Sequence, residues 1–290
     1  MFSVSDIVFL VEWWAGVKLT IYMDKLDVNY LGTEHCIPIV NHRYQNDWMF
    51  LLHFGSKCKL ILGNCRAFAK KSLKWIPVVG WFFYFNEYIF LERSFERDQE
   101  ILERRVRDML AFTPDPLVLC LYPEGTRFTE KKHEESLKFA KERNLIPLKH
   151  HLIPRTKGFA AVASAARGVD RCPALYDYTV AEKGDHGSPT LGGIFSRVPY
   201  DVTIYVRRIP LKFVPEDKTK AALWLHDLFI EKDRLIDSFK NTGNMFAESG
   251  FAEPFKVEYK KSLLVLANTI FWFIVTSSIY LYYGFKIFAN

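Results

Sequence analysis

From residue 262 to residue 285 the chain carries no charged side chain, and the stretch reads SLLVLANTIFWFIVTSSIYLYYGF. A run this long and this apolar is best accommodated as a helix hidden from water, and about 20 helical residues cross a bilayer core. Lys256, Lys260 and Lys261 precede it and only Lys286 follows closely, a cationic excess that favours the cytosol for the preceding domain. Trp272, Tyr280, Tyr282 and Tyr283 suit the membrane interfaces. The expectation is a transmembrane helix over 262–285. Asn268, Thr269, Thr276, Ser277 and Ser278 dilute the apolarity and leave a buried core helix as the alternative.

Hydrophobic residues make up 49% of the chain and aromatics 16%, which is high for a soluble domain. A second apolar location is therefore expected near the N-terminus. Over residues 7–23, Ile7-Val8-Phe9-Leu10-Val11 is followed by Trp13 and Trp14, while Glu12 and Lys18 interrupt the run. Two charges in so short a stretch predict an amphipathic helix lying on a membrane surface rather than a span. An ordinary packing helix is the other reading.

Between these ends, short apolar runs alternate with amphipathic stretches, the pattern of an α/β domain. Strands are predicted at 36–40, 67–69, 88–91, 117–122, 174–180 and 202–206, and covering helices at 96–110, 134–143 and 218–239. The predicted fold class is α/β, with a mixed, largely parallel sheet flanked by helices. A chain of 290 residues can bury one large core of this kind. The predicted organisation is a membrane-associated helical segment over 1–30, a globular domain over 31–245, a linker over 246–261 and the transmembrane helix. Residues 184–199 read as a surface loop.

Four polar turns follow four apolar runs. Directly after 36–40 comes Asn41-His42-Arg43-Tyr44-Gln45-Asn46-Asp47. An imidazole held by a carboxylate is a ready general base, although the same spacing suits a helix-start histidine with a capping carboxylate. The run 117–122 leads into Pro123-Glu124-Gly125-Thr126-Arg127, where a hydroxyl and a planar cation suit a phosphate, or the segment is a structural turn. Arg93 ends the third run, as an anion-binding cation or a surface ion-pair partner. In the fourth, Pro154-Arg155-Thr156-Lys157-Gly158 places two cations before a glycine, a functional segment or a basic loop. In a parallel sheet such turns converge on one crevice.

Other chemistries find little footing. A Gly-x-Ser-x-Gly elbow and a His-Glu-x-x-His metal motif are both absent from the sequence. The net charge of +6 suits an anionic membrane surface or a phosphorylated ligand, and no nucleic-acid-binding motif accompanies it. The five cysteines are scattered and odd in number, which predicts reduced core thiols rather than a disulfide framework or zinc site. No cleavable signal peptide is expected.

In order and spacing, His42-x4-Asp47, Arg93, Glu124-Gly125-Thr126-Arg127 and Pro154 resemble the four blocks of the glycerolipid acyltransferase family. The resemblance is closest to its gamma and delta 1-acylglycerol-3-phosphate acyltransferase branch, and it runs from Val11-Glu12-Trp13-Trp14 to about Phe246. It implies transfer of an acyl group from acyl-CoA to the free hydroxyl of 1-acylglycerol-3-phosphate, giving phosphatidic acid, at the endoplasmic reticulum membrane. It makes 31–245 the acyltransferase domain. By position, His42 is the implied base and Asp47 orients it. Arg93 is implied to help bind the acceptor phosphate, with Glu124, Gly125, Thr126 and Arg127 shaping the same substrate pocket and Pro154 on the donor side. Neither metal nor cofactor is implied; the partners are acyl-CoA, the lysophospholipid and membrane lipid, with no nucleic acid. Arg43, Tyr44, Gln45, Asn46 and Trp48 resemble relatives that acylate other lysophospholipids, such as lysophosphatidylinositol or lysocardiolipin. A non-catalytic membrane-binding relative is the remaining alternative.

Overall fold

A computed structural model describes residues 4–77, 79–92, 95–257 and 259–288. Helix α1 (Val4–Phe9) continues through a π-helical turn (Leu10–Trp14) and leads into strand β1 (Lys18–Met23). There follow β2 (Ile37–Val40), α2 (Asp47–Lys57), β3 (Cys65–Lys70), a 3-10 turn (Lys71–Trp75), α3 (Val79–Phe85), β4 (Ile89–Leu91) and α4 (Phe95–Phe112). The second half holds β5 (Val118–Cys120), α5 (Glu130–Glu142), α6 (Thr156–Arg167), β6 (Ala174–Glu182), α7 (Leu191–Phe195) and β7 (Asp201–Pro210). It ends with α8 (Lys218–Thr242), β8 (Phe255–Val257) and α9 (Leu263–Phe288).

The strands form two hydrogen-bonded groups, β4-β3-β5 and β2-β6-β7-β1-β8. Parallel bridges Cys36↔Val118 and Ile39↔Leu121 join β5 to β2, so the groups make one continuous twisted surface. From β4 through β6 every neighbour is parallel; β7 lies antiparallel to β6, and β8 antiparallel to β1. The sheet is mixed and largely parallel, as the pattern of apolar runs predicts.

Parallel strands covered on both faces read as continuous apolar runs, and β2 shows why. Ile37 and Ile39 pack with Val106 of α4, Phe159 of α6 and Phe229 of α8 on one face. Cys36 and Val40 pack with Met49, Phe50 and Phe54 of α2 on the other. Helix α8 is bounded by Asp217, whose side chain accepts from the Lys220 N–H at 2.9 Å, and by Gly243 at φ +75°, whose N–H reaches the Phe239 carbonyl.

The single helix expected over 7–23 is corrected. Helical structure stops at Trp14, and Lys18–Met23 is a strand parallel to β7, in register from Lys18↔Asp201 to Met23↔Val206. Lys-Leu-Thr-Ile-Tyr-Met alternates with the period of a strand, and Ile21 and Met23 are buried. Nor is the helical part a free surface helix. Val8, Val11 and Glu12 are buried; Glu12 accepts from the Ser262 N–H at 3.0 Å and from Lys57, and the Trp13 indole donates to the Ser262 carbonyl at 3.1 Å. Within 184–199 the chain forms α7, and within 246–261 it forms β8, so both stretches hold regular structure.

Helix α9 meets α1 near its start, where Asn268 donates to the Ser5 hydroxyl at 2.8 Å, and beyond that it leaves the core. Its residues Leu263–Tyr282 have a mean hydropathy of 1.8 and none of them is buried against the rest of the chain, so the core-helix alternative does not hold. By length and composition α9 suffices to cross a membrane.

Candidate active site

The end of β2 is fixed before it reaches any reactive group. The Asn41 amide donates to the Val180 carbonyl at 2.9 Å and accepts from the Val180 N–H at 2.8 Å, tying the strand end to β6. The next residue is His42, and Asp47 begins α2. Asp47 Oδ2 lies 3.0 Å from His42 Nδ1 and also accepts the N–H groups of Arg43 at 2.9 Å and Tyr44 at 3.0 Å. One carboxylate thus shapes the turn and aims the ring. Burial raises the Asp47 carboxyl above its usual range, against the pull of His42 and the two N–H groups. The His42 ring is 30% exposed, Asp47 only 1%, so the imidazole reaches outward with Nε2 while its partner stays inside. The Tyr122 ring flanks it at 4.7 Å.

Glu124 does not face the ligand space. It is buried, its Oε1 accepting the His42 N–H at 2.7 Å and its Oε2 the Leu152 N–H at 2.9 Å. Burial pushes this carboxyl up to about 7, although both backbone donors favour the ionised form. Glu124 therefore sits behind the cleft, with both oxygens taken by backbone N–H groups. Gly125, at φ +67°, leaves room for the Arg155 side chain, whose Nε would stand 2.7 Å from a Cβ placed there. The Arg155 N–H donates to the Pro123 carbonyl at 2.7 Å, so segment 152–155 is stitched across 123–125. Behind it, Asp233 of α8 accepts the N–H groups of Lys149 and His150 and pairs with His151 Nδ1 at 2.9 Å.

His42 opens into a cleft of about 1120 Å³. Gly125, Thr126, Arg127 and Pro154 line it, together with Arg155 and Lys157 from the same basic segment as Pro154. Lys70 and Arg143 also line it, and neither was singled out from the sequence. Lys70 ends β3, beside β5, and the strand-end rule applied to the short 67–69 run finds it. Phe68, Leu91, Leu121, Ile153, Phe159 and Val162 form an apolar wall. Among the described residues no carboxylate lines the cleft. Arg93 lies outside the described residues. A further buried cation, Lys232 of α8, donates to the Tyr178 carbonyl at 2.8 Å and the Ile39 carbonyl at 3.1 Å and pairs with Asp177, bracing β2 against β6.

Chemically, the cleft offers a carboxylate-oriented base, a group of cations for an anion, and apolar surface for a hydrocarbon chain. The Acyltransferase family model matches residues 24–181, and the Acyltransferase C-terminus model residues 193–272. The chain is 38% identical over 269 residues to mouse 1-acyl-sn-glycerol-3-phosphate acyltransferase delta, covering 92% of this chain and 68% of that one. It is 36% identical to the human delta protein over 272 residues, with the same coverage, and 39% identical to the mouse gamma protein over 243 residues, covering 82% and 62%. Among solved structures, the 1-acyl-sn-glycerophosphate (LPA) acyltransferase PlsC of Thermotoga maritima superposes with a TM-score of 0.50 over 82% of this chain and 78% of that one; at 13% identity the likeness is one of fold. Over residues 24–181, from just after β1 into β6, and again over residues 193–272, the chain belongs to the acyltransferase family.

Proposed function

We propose that the protein transfers an acyl group from acyl-CoA to the free hydroxyl of 1-acylglycerol-3-phosphate, producing phosphatidic acid. The observation that carries this reading is the position of His42, held by Asp47 at the wall of a cleft lined by Lys70, Arg127, Arg155 and Lys157. His42 Nε2 takes the hydroxyl proton as the oxygen attacks the thioester carbonyl. The C–S bond breaks and the imidazolium returns the proton to the CoA thiolate. Asp47 stabilises the imidazolium between these steps. Because a thioester is already activated, a positioned base suffices, and the reading calls for neither metal nor cofactor. Arg127, with its cationic neighbours, binds the acceptor phosphate, and the apolar wall takes acyl chain.

Two further observations support this acceptor. The relatives named above are 1-acyl-sn-glycerol-3-phosphate acyltransferases. None of the residues between His42 and Asp47 lines the cleft: Arg43 donates to the His150 carbonyl at 3.0 Å, Tyr44 and Asn46 are buried, and Gln45 is exposed outside it. With α9 spanning the bilayer, the enzyme belongs to an internal membrane of lipid synthesis, the endoplasmic reticulum. An acceptor panel with one labelled acyl-CoA tests the assignment. Turnover is expected to be highest with 1-acylglycerol-3-phosphate; turnover confined to lysophosphatidylinositol or lysocardiolipin would overturn it.

A further inference from the structure

Where β3 ends at Lys70 the chain leaves the cleft wall, passes through the 3-10 turn and forms α3. This short excursion exposes Trp75 (80%), Phe85 (78%), Trp81 (63%) and Tyr84 (57%), a cluster that a water-facing domain rarely displays. Residues 70–85 also carry Lys70, Lys71 and Lys74 and no carboxylate. The excursion is built rather than loose. The Gly80 N–H donates to the Ile76 carbonyl at 2.7 Å, and a Cβ at Gly80 would stand 2.2 Å from the Lys74 carbonyl oxygen. The start of α3 is therefore locked against the turn, and Lys74 lies over the Tyr84 ring at 5.3 Å. Tyr84 and Phe85 meet edge to face at 5.6 Å between ring centroids.

The geometry points to a membrane-docking surface: Lys71, Lys74, Trp75, Trp81, Tyr84 and Phe85 seat on an anionic phospholipid bilayer, a contact separate from α9. Trp and Tyr interleaved with Lys is the composition of the interface between headgroups and acyl chains, whereas lysine is depleted at protein–protein interfaces. Lys71, which also pairs with Glu92 just past β4, and Lys74 give the segment a cationic edge that matches the negative surface potential of a cytoplasmic leaflet. Because Phe68, Ala69 and Lys70 line the cleft, this contact sets the cleft edge on the bilayer. A lipid acceptor then enters from the leaflet. That route rests on the proposed reaction; the docking does not.

The test uses the full chain reconstituted in phosphatidylcholine–phosphatidylserine vesicles, with fluorescence quenched by brominated phosphatidylcholine or by aqueous iodide. Subtracting the signal of the W75F/W81F variant isolates Trp75 and Trp81 from the other indoles. Brominated lipid is expected to quench this difference signal by roughly half or more while iodide barely affects it, and K71Q/K74Q is expected to reduce the lipid quenching several-fold. Quenching by iodide alone would overturn the proposal, leaving the face in water. Protection from both quenchers would also overturn it, assigning the face to protein such as a second copy. Unchanged lipid quenching in K71Q/K74Q would overturn the anionic partner. No arm needs turnover, so failure of the acyl-transfer reading shows separately in the acceptor panel.

Discussion

Two histidines in this protein meet a carboxylate in nearly the same way. His42 Nδ1 lies 3.0 Å from Asp47, and His151 Nδ1 lies 2.9 Å from Asp233. Both carboxylates also accept two backbone N–H groups, from Arg43 and Tyr44 in one case and Lys149 and His150 in the other. The difference is access: the His42 side chain is 30% exposed on the cleft wall, the His151 side chain 3% exposed beneath Phe229. Burial holds the His151 imidazole below its usual range despite Asp233, which suits a neutral strut. A histidine–aspartate pair is thus a positioning device in both places, and only at His42 does the ring also face the cleft, as the proposed role of base requires.

That comparison breaks most easily at His42. His42→Ala is expected to lower kcat by about 10³-fold or more while Tm moves by no more than about 2 °C, since the ring is partly solvated. Thermal unfolding beside a turnover assay checks it, and an active variant would remove the distinction between the two pairs. Asp47→Asn should follow, at roughly 10²-fold in kcat, because an amide does not stabilise the imidazolium.

Glu124 links the two regions, taking the N–H of His42 with one oxygen and that of Leu152, next to His151, with the other. In Glu124→Gln the amide must turn its NH2 towards one of these donors, and a loss of about tenfold or more in kcat is expected. The pH dependence has a definite sign. The folded-state carboxyl is raised by burial to about 7 from an ordinary glutamate value, so the stability it contributes is present at low pH and is lost as pH rises through 7. Melting temperatures across this range should show that slope in the native protein and lose it in Glu124→Gln. Activity should run the other way, because the ionised carboxylate alone accepts both N–H groups fully.

The smallest effect on turnover is expected at the buried pair. His151→Ala should cost about 1–3 kcal/mol of stability by stripping a partner from Asp233, measured by denaturant unfolding. Its kcat should stay within about threefold of native at temperatures where it is folded. A kcat loss as large as that of His42→Ala would mean that the two pairs act as one relay.

The strand-end argument found the His42 turn, the Glu124–Arg127 turn and the Pro154 segment, because strands buried on both faces leave unbroken apolar runs that end where polar residues begin. It missed β1, since six alternating residues beside Trp13 and Trp14 blend into the preceding helix; the pairing that makes Lys18–Met23 a strand comes from β7, far along the chain. Lys70 escaped for a related reason: β3 is short and lies half-buried between β4 and β5. His151 lies just before the basic segment singled out from the sequence, and its partner Asp233 comes from α8, some eighty residues on.

By itself the sequence determined the α/β class, the long apolar helix, and the spacing that lets Asp47 aim His42, all of them consequences of periodicity and of contacts only a few residues apart. The tertiary structure alone decided which way each polar group faces. Glu124 and Asp47 turn inward to bind backbone, while Arg127, Lys70 and His42 turn out into one cleft, because the order of parallel strands, which no local pattern encodes, sets β3, β5 and β2 side by side.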